Sequence, residues 1–149
     1  MSFCRRLLLV YLCGLSACIA CGDLLIGNAW VRLPPPGMTM TAAYFTITNQ
    51  NPTPRHVVSI TSPDFSGAEL HETRHQDGRA VMREVGELTL SANETVVAAP
   101  GGLHLMLWGP QSPLTENAIV SVELTCAEGG SSRVDLPVLK RIKAMPTAP

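Results

Sequence analysis

Beyond its first twenty or so residues, the chain is a succession of short apolar runs that alternate with polar residues. Proline, glycine and asparagine clusters separate them. Period-two alternation in runs of this length marks strands with one buried face. Leu25 to Leu33 predicts a first strand, ended by Pro34-Pro35-Pro36-Gly37, where three ring nitrogens have no proton to give to a ladder. Thr41 to Thr48 and Arg55 to Thr61 predict two more, closed by Asn49-Gln50-Asn51-Pro52 and by Ser62-Pro63-Asp64. Ala68 to Val85 predicts a hairpin turning at Asp77-Gly78, a dipeptide that tolerates positive φ. That turn sets Thr73 opposite Met82 and His71 opposite Glu84, so His71 and Met82 become diagonal neighbours on one face. Leu88 to Leu90, Thr95 to Ala98, Gly102 to Trp108, Ala118 to Thr125 and Val134 to Leu139 complete the set. Eight or more short strands with spaced turns and no convincing helix predict an all-β Greek-key sandwich or barrel.

Gly102 to Trp108 carries the most information. Alternation gives Leu103, Leu105 and Leu107 one face and His104, Met106 and Trp108 the other. Three leucines make a core face. A face that merely met water would be polar, so imidazole, thioether and indole together need another reason.

The first stretch has a different pattern. Arg5 and Arg6 precede an apolar core, Leu7 to Leu15, too short to span a bilayer but of signal-peptide length. Leu15-Ser16-Ala17-Cys18 resembles a lipobox. Residues 1–21 are therefore expected to be a signal segment of lipoprotein type, cleaved before Cys18, with Cys18 lipidated; Cys21 is a weaker candidate. An ordinary small-residue cleavage site is the plainer alternative. Either way the domain, expected over residues 22–143 with a short tail at 144–149, is exported to the periplasm or cell envelope of a bacterium. Cys21 and Cys126 then remain as thiols that either pair or stay free. A free Cys126, buried as a small hydrophobe, is the expectation, because Cys21 falls at a mobile terminus.

Bulk properties narrow the function. The chain has 149 residues, 46% hydrophobic and 15% charged, which suits one folded domain. A net charge of −1 with no Lys/Arg run argues against nucleic acid. No nucleophile-elbow or metalloprotease motif accompanies the Ser, His and acidic residues, so no enzyme is expected.

Two imidazoles and two thioethers lie between His71 and Met106: His71, Met82, His104 and Met106. Three accounts compete. For any single methionine, filling a gap in a core buried on both sides is the more ordinary role, but that gives no reason for a histidine at each end. A blue-copper centre needs a Cys thiolate between its ligands, and Cys126 is misplaced for it. Carriage of Cu(I) needs only soft neutral donors, because thioether sulfur disfavours the harder Cu(II). Thioethers stay unprotonated in acid, whereas histidines must lose a proton to bind.

The spacing His71-x10-Met82-x21-His104-x-Met106 resembles the signature of the periplasmic copper chaperone family PCu(A)C. Ala29-Trp30-Val31-Arg32, Thr41-Ala42-Ala43-Tyr44-Phe45 and Pro100-Gly101-Gly102-Leu103-His104-Leu105-Met106-Leu107 look similar to it as well. The resemblance covers about Leu25 to Leu139. It implies a cupredoxin-like β-barrel that binds one Cu(I) through those four residues. It also implies delivery toward the binuclear copper centre of cytochrome c oxidase, with an oxidase subunit or another copper chaperone as acceptor. Two departures stand out. Family members often carry a Met two residues after the first His, where this chain has Thr73, and the tail has Met145 but no His. An exported adhesion or assembly module without metal is the alternative.

Among the other candidates, His75 beside the turn is expected to be an exposed bystander and His56 structural. Met38 and Met40 flank the first turn and either border the site or pack, with packing the expectation. Trp108 is equally suited to shielding the site or to burial.

Overall fold

The structure, a computed structural model, describes residues 21–140. Cys18, the rest of the leading segment before residue 21, the predicted boundary at 143 and the tail at 144–149 lie outside the described residues.

A 3-10 turn, Cys21–Asp23, leads into ten strands. They are β1 (Leu24–Arg32), β2 (Met40–Asn49), β3 (Arg55–Thr61), β4 (Phe65–Gln76), β5 (Arg79–Glu84), β6 (Leu88–Leu90), β7 (Thr95–Ala98), β8 (Leu103–Pro110), β9 (Ile119–Cys126) and β10 (Ser131–Leu139). Hydrogen bonds connect them in the order β5-β4-β8-β2-β1-β10-β9-β3-β6, with β7 paired to the second half of β2. The β1–β10 link is parallel and joins the two halves of the path. Inward side chains from both halves, such as Phe45, Ile47, Leu105 and Leu107 against Val122, Leu124, Leu136 and Leu90, form one buried core. The path ends at two edges, β5 and β6, so the all-β architecture is a folded-over open sheet rather than a closed barrel. Closure is by packing.

Two local features aim side chains toward the outer face of the first half. Asp77 and Gly78 have φ of 51° and 74°, the positive pair that a two-residue hairpin turn of matching twist requires. The register that follows is Thr73↔Met82 and His71↔Glu84. In β1 the register shifts between Gly27 and Trp30, where Asn28 has φ 50°. This bulge exchanges the faces of the strand. Ile26 packs against the core before it, yet after it Val31 faces the core and Trp30 turns outward to stack on Tyr44 at 4.9 Å. Trp30 and Tyr44 are both buried, so that side of the sheet has an aromatic floor.

The far end is fastened differently. Asn49 is fully buried at the end of β2, and its Nδ2 donates to the carbonyls of Thr53, Leu90 and Ser91. Its Oδ1 accepts from the Asn51 amide. Beside it, Asp23 pairs with Arg55 at 3.1 Å. Cys21 is buried and disulfide-bonded to Cys126, 105 residues away in sequence. This corrects the expectation of a mobile Cys21 and a free Cys126. The reason is packing: the 3-10 turn brings Cys21 into the core beside the last residue of β9.

A cross-link closing so long a loop restricts the unfolded chain, by about 4–5 kcal/mol in the chain-entropy account. Replacing Cys21 and Cys126 together with serine is expected to lower the unfolding free energy by about 2–5 kcal/mol, measured by urea denaturation. An unchanged midpoint would show that the bond adds nothing to stability.

Candidate metal centre

The outer face of β5-β4-β8-β2 collects the chemistry. β4 and β8 pair with His71 opposite His104 and Glu69 opposite Met106. β5 sets Met82 opposite Thr73. β2 sets Ala42 opposite Met106 and Met40 opposite Trp108. Residues opposite one another in antiparallel strands share a face, so these side chains all point away from the core. Leu105 and Leu107 point the other way and are buried, while Leu103 is partly buried against them. The direct β4–β8 pairing unites the hairpin face with the His104–Met106 face.

Met38, Met40, Met82 and Met106 line a half-open pocket of about 380 Å³ together with His104, Thr73, Tyr44 and Arg32. They are all four methionines among the described residues. None belongs to the hydrophobic core. Met38, Met40 and Met82 are 56%, 47% and 49% exposed. Packing therefore does not account for the methionines, and the expectation that Met38 and Met40 pack inside is corrected. The loop after the triple proline carries Met38 to the pocket mouth. His71 does not line the pocket; it sits beside His104 with the ring centroids 6.1 Å apart.

The two imidazoles are held from outside. His104 is buried, and its Nδ1 donates to the Gly102 carbonyl at 3.0 Å. The same carbonyl accepts the Thr73 amide at 3.1 Å, which ties the Ala99–Gly102 turn to β4. Because a carbonyl only accepts, neutral His104 carries its lone pair on Nε2. His71 donates from Nε2 to the Glu69 carboxylate at 3.0 Å. Its lone pair is then on Nδ1, which is buried and has no hydrogen-bond partner. A carboxylate or carbonyl holding the non-ligating nitrogen is the usual outer arrangement of a metal-binding histidine.

The donor set suits a soft ion. Among the described residues no three His, Cys, Asp or Glu side chains converge as a metal cluster, and the soft donors beside the two imidazoles are thioethers. Metal–imidazole bonds of about 2.0–2.1 Å place two rings on one ion with centroids roughly 5–6 Å apart. The observed separation of 6.1 Å lies just beyond that range. An orphaned imidazole nitrogen, a second with its lone pair unused and neighbouring thioethers therefore fit a monovalent soft cation.

Other candidates resolve simply. His75 is exposed beside the turn. His56 pairs with Glu128, whose carboxyl that bond holds below the usual carboxylate range. Trp108 lies flat over Gly67, where an added Cβ would come within 2.0 Å of the indole. It is partly buried and closes one side of the face rather than lining the pocket. Sequence reasoning passes over Glu69 and the Gly102 carbonyl. The first is within its reach, since Glu69 and His71 share a face by alternation. The second depends on how the Ala99–Gly102 turn folds.

The model of one protein family, described as "LpqE-like: Putative lipoprotein LpqE-like", matches residues 24–138. A relative from Leifsonia xyli subsp. xyli, "Putative lipoprotein Lxx21020", is 36% identical over 114 residues, 76% of this chain and 68% of its own. The solution structure of CuI-DR1885 from Deinococcus radiodurans is similar with a TM-score of 0.65 and 34% identity, covering 80% of this chain and 79% of that one. The copper-bound PCuAC domain from PmoF2 superposes with a TM-score of 0.66, covering 80% of this chain and 95% of that one; at 22% identity this likeness speaks for the fold. With a PCuAC-type β fold and a family match spanning nearly all of its strands, the chain belongs to the LpqE-like family.

Proposed function

We propose that this chain is an exported copper chaperone that binds one Cu(I) through His71, Met82, His104 and Met106 and hands it to an acceptor protein. Assembly of the binuclear copper centre of cytochrome c oxidase is the destination we favour. The observation that carries the reading is the convergence of every described methionine on one half-open pocket beside two oriented, neutral-capable imidazoles. The similar Deinococcus structure is of a CuI form, which agrees with it. Carriage asks for no acid–base chemistry. The histidines hold the ion from the sheet, while the exposed Met82 thioether offers a side from which an acceptor's ligands replace the donors one by one.

Attachment to the cell envelope through Cys18 belongs to the same proposal, and the lipoprotein names of the family and of the Leifsonia relative support it. The Cys21 sulfur is committed to Cys126 and is not free to form a thioether, which supports Cys18 over Cys21 as the candidate. Leu24 pairs with Asn49, so the anchored end of the domain lies at the end of β2. Tyr44 and Ala42, level with the site, are five to seven residues away, about 17–23 Å at 3.3 Å per residue. The pocket then lies well along the sheet from the anchored end.

Titration of the domain with Cu(I) against a chromophoric chelator tests the reading. One equivalent is expected to bind, and Met82→Ala with Met106→Ala is expected to weaken binding by at least about 100-fold, or roughly 2.7 kcal/mol. No uptake, or equal binding by the double variant, would leave an adhesion or assembly module as the better account.

Acid gives a second test. Protonation of the imidazoles competes with the ion, so affinity is expected to fall in acid. Glu69→Gln, which removes the charged partner of His71 but keeps an acceptor, is expected to cost about tenfold in affinity, as loss of an outer partner does. A flat pH profile would remove the histidines from the ligand set.

A further inference from the structure

The pocket is lined by four methionines, and the four-ligand reading uses only Met82 and Met106. We propose that Met38 and Met40 are auxiliary Cu(I) ligands that reach the ion from the β1–β2 side. This rests on the Cu(I) reading above and extends it to residues outside the four-ligand spacing.

Three observations carry the assignment. Met38 is presented by a stiff support. Pro35-Pro36-Gly37-Met38 forms a turn closed by the Met38 amide donating to the Pro35 carbonyl at 3.2 Å, with Gly37 at φ 83°. Proline at the second position and a positive-φ glycine at the third are what a type II turn requires. Two further prolines restrict the approach to it. The loop therefore loses little freedom when Met38 engages an ion. Met40 is placed by the sheet. It sits opposite Trp108, diagonal to Met106 on the same face, within reach of a long side chain. Gly109 donates to the Thr39 carbonyl at 2.9 Å and fixes the backbone between the two methionines. Finally, both thioethers are about half exposed although the core lies just behind their strand. Apart from these two and Met82, the exposed large apolar residues among those described are Leu25, Val58 and Ile119, and none of those three lines this pocket.

Flexible thioethers at a pocket mouth suit an ion in transit. Met38 or Met40 takes a coordination position when the ion arrives and again when an inner ligand lets go, so the ion is never left with two donors. The step moves no electrons and no protons; neutral sulfur replaces neutral sulfur or nitrogen.

The test uses protein labelled with 13C at the methionine methyls and titrated with Cu(I), which is diamagnetic. Leucine variants assign each signal. The methyl of Met38 or Met40 is expected to shift within the first equivalent, together with those of Met82 and Met106. Met38→Leu with Met40→Leu keeps the apolar volume and is expected to weaken Cu(I) binding by about tenfold, the lower end of the cost of losing a supporting group at a metal site. Thr73 lines the same pocket from β4, opposite Met82. Adding Thr73→Met to the double variant supplies a thioether from that side and is expected to restore affinity, which a merely structural role for Met38 and Met40 would not predict. Stationary Met38 and Met40 methyls while Met82 and Met106 shift overturn the inference and leave the chaperone reading intact. A wild-type chain that takes up no Cu(I) overturns both.

Discussion

The pairing of β4 with β8 is the constraint on which the rest of the molecule depends. It alone sets His71 against His104 and brings the hairpin carrying Met82 beside Met106. A one-residue slip would turn His104 and Met106 into the core and send Leu105 and Leu107 into water. Burying a leucine contributes about 1.5–3 kcal/mol, so two fully buried leucines in β8, with Leu70 facing them from β4, make that slip costly. The core of the sandwich thus holds the outer face in register. Side chains that contribute nothing to the core owe their positions to it.

The face divides into a rigid half and a yielding half. His71 and His104 are mostly buried and each is fastened through its second nitrogen, to Glu69 and to the Gly102 carbonyl. Met38, Met40 and Met82 stand out from the sheet on flexible thioether chains. A site that had to hold its ion permanently would bury all of its donors. Here the nitrogen side is fixed and the sulfur side is open, an arrangement that under the proposed function would give a partner access without disturbing the fold.

Much of this is legible in the chain. The Asp77-Gly78 turn declares its own register, and the Leu103–Leu105–Leu107 alternation declares which way His104 and Met106 face. Both inferences need only local periodicity and the steric rule for positive φ. Three features are not legible. The bulge at Asn28, which turns Trp30 outward, inserts into a run that reads as regular alternation. The direct contact of β4 with β8 is a pairing across more than thirty residues, which no local pattern encodes. The Cys21–Cys126 bond is hidden because nearness to the end of the expected signal segment says nothing of what Cys21 can pack against. Met38 and Met40 mislead for a related reason. One methionine is ordinarily a packing residue, and only the fold shows that all the described methionines share one pocket.

The exposure of those methionines has a consequence for stability. Three half-exposed thioethers on one face forgo apolar burial that polar residues there would not need, and they leave a surface inclined to associate. A sequence shaped by stability alone would place charge or hydroxyl groups at these positions, as it does at the exposed Arg133 and Asp135 on the second half of the sheet. The domain is instead tightened at the other end. There the disulfide, the fully buried Asn49 and the Asp23–Arg55 pair gather at the terminus of β2. Cross-linking at the site itself would stiffen the strands that carry the thioethers. Concentrating the fastening at the opposite end of β2 keeps the sheet ordered while leaving the methionine face open, as the proposed carriage requires.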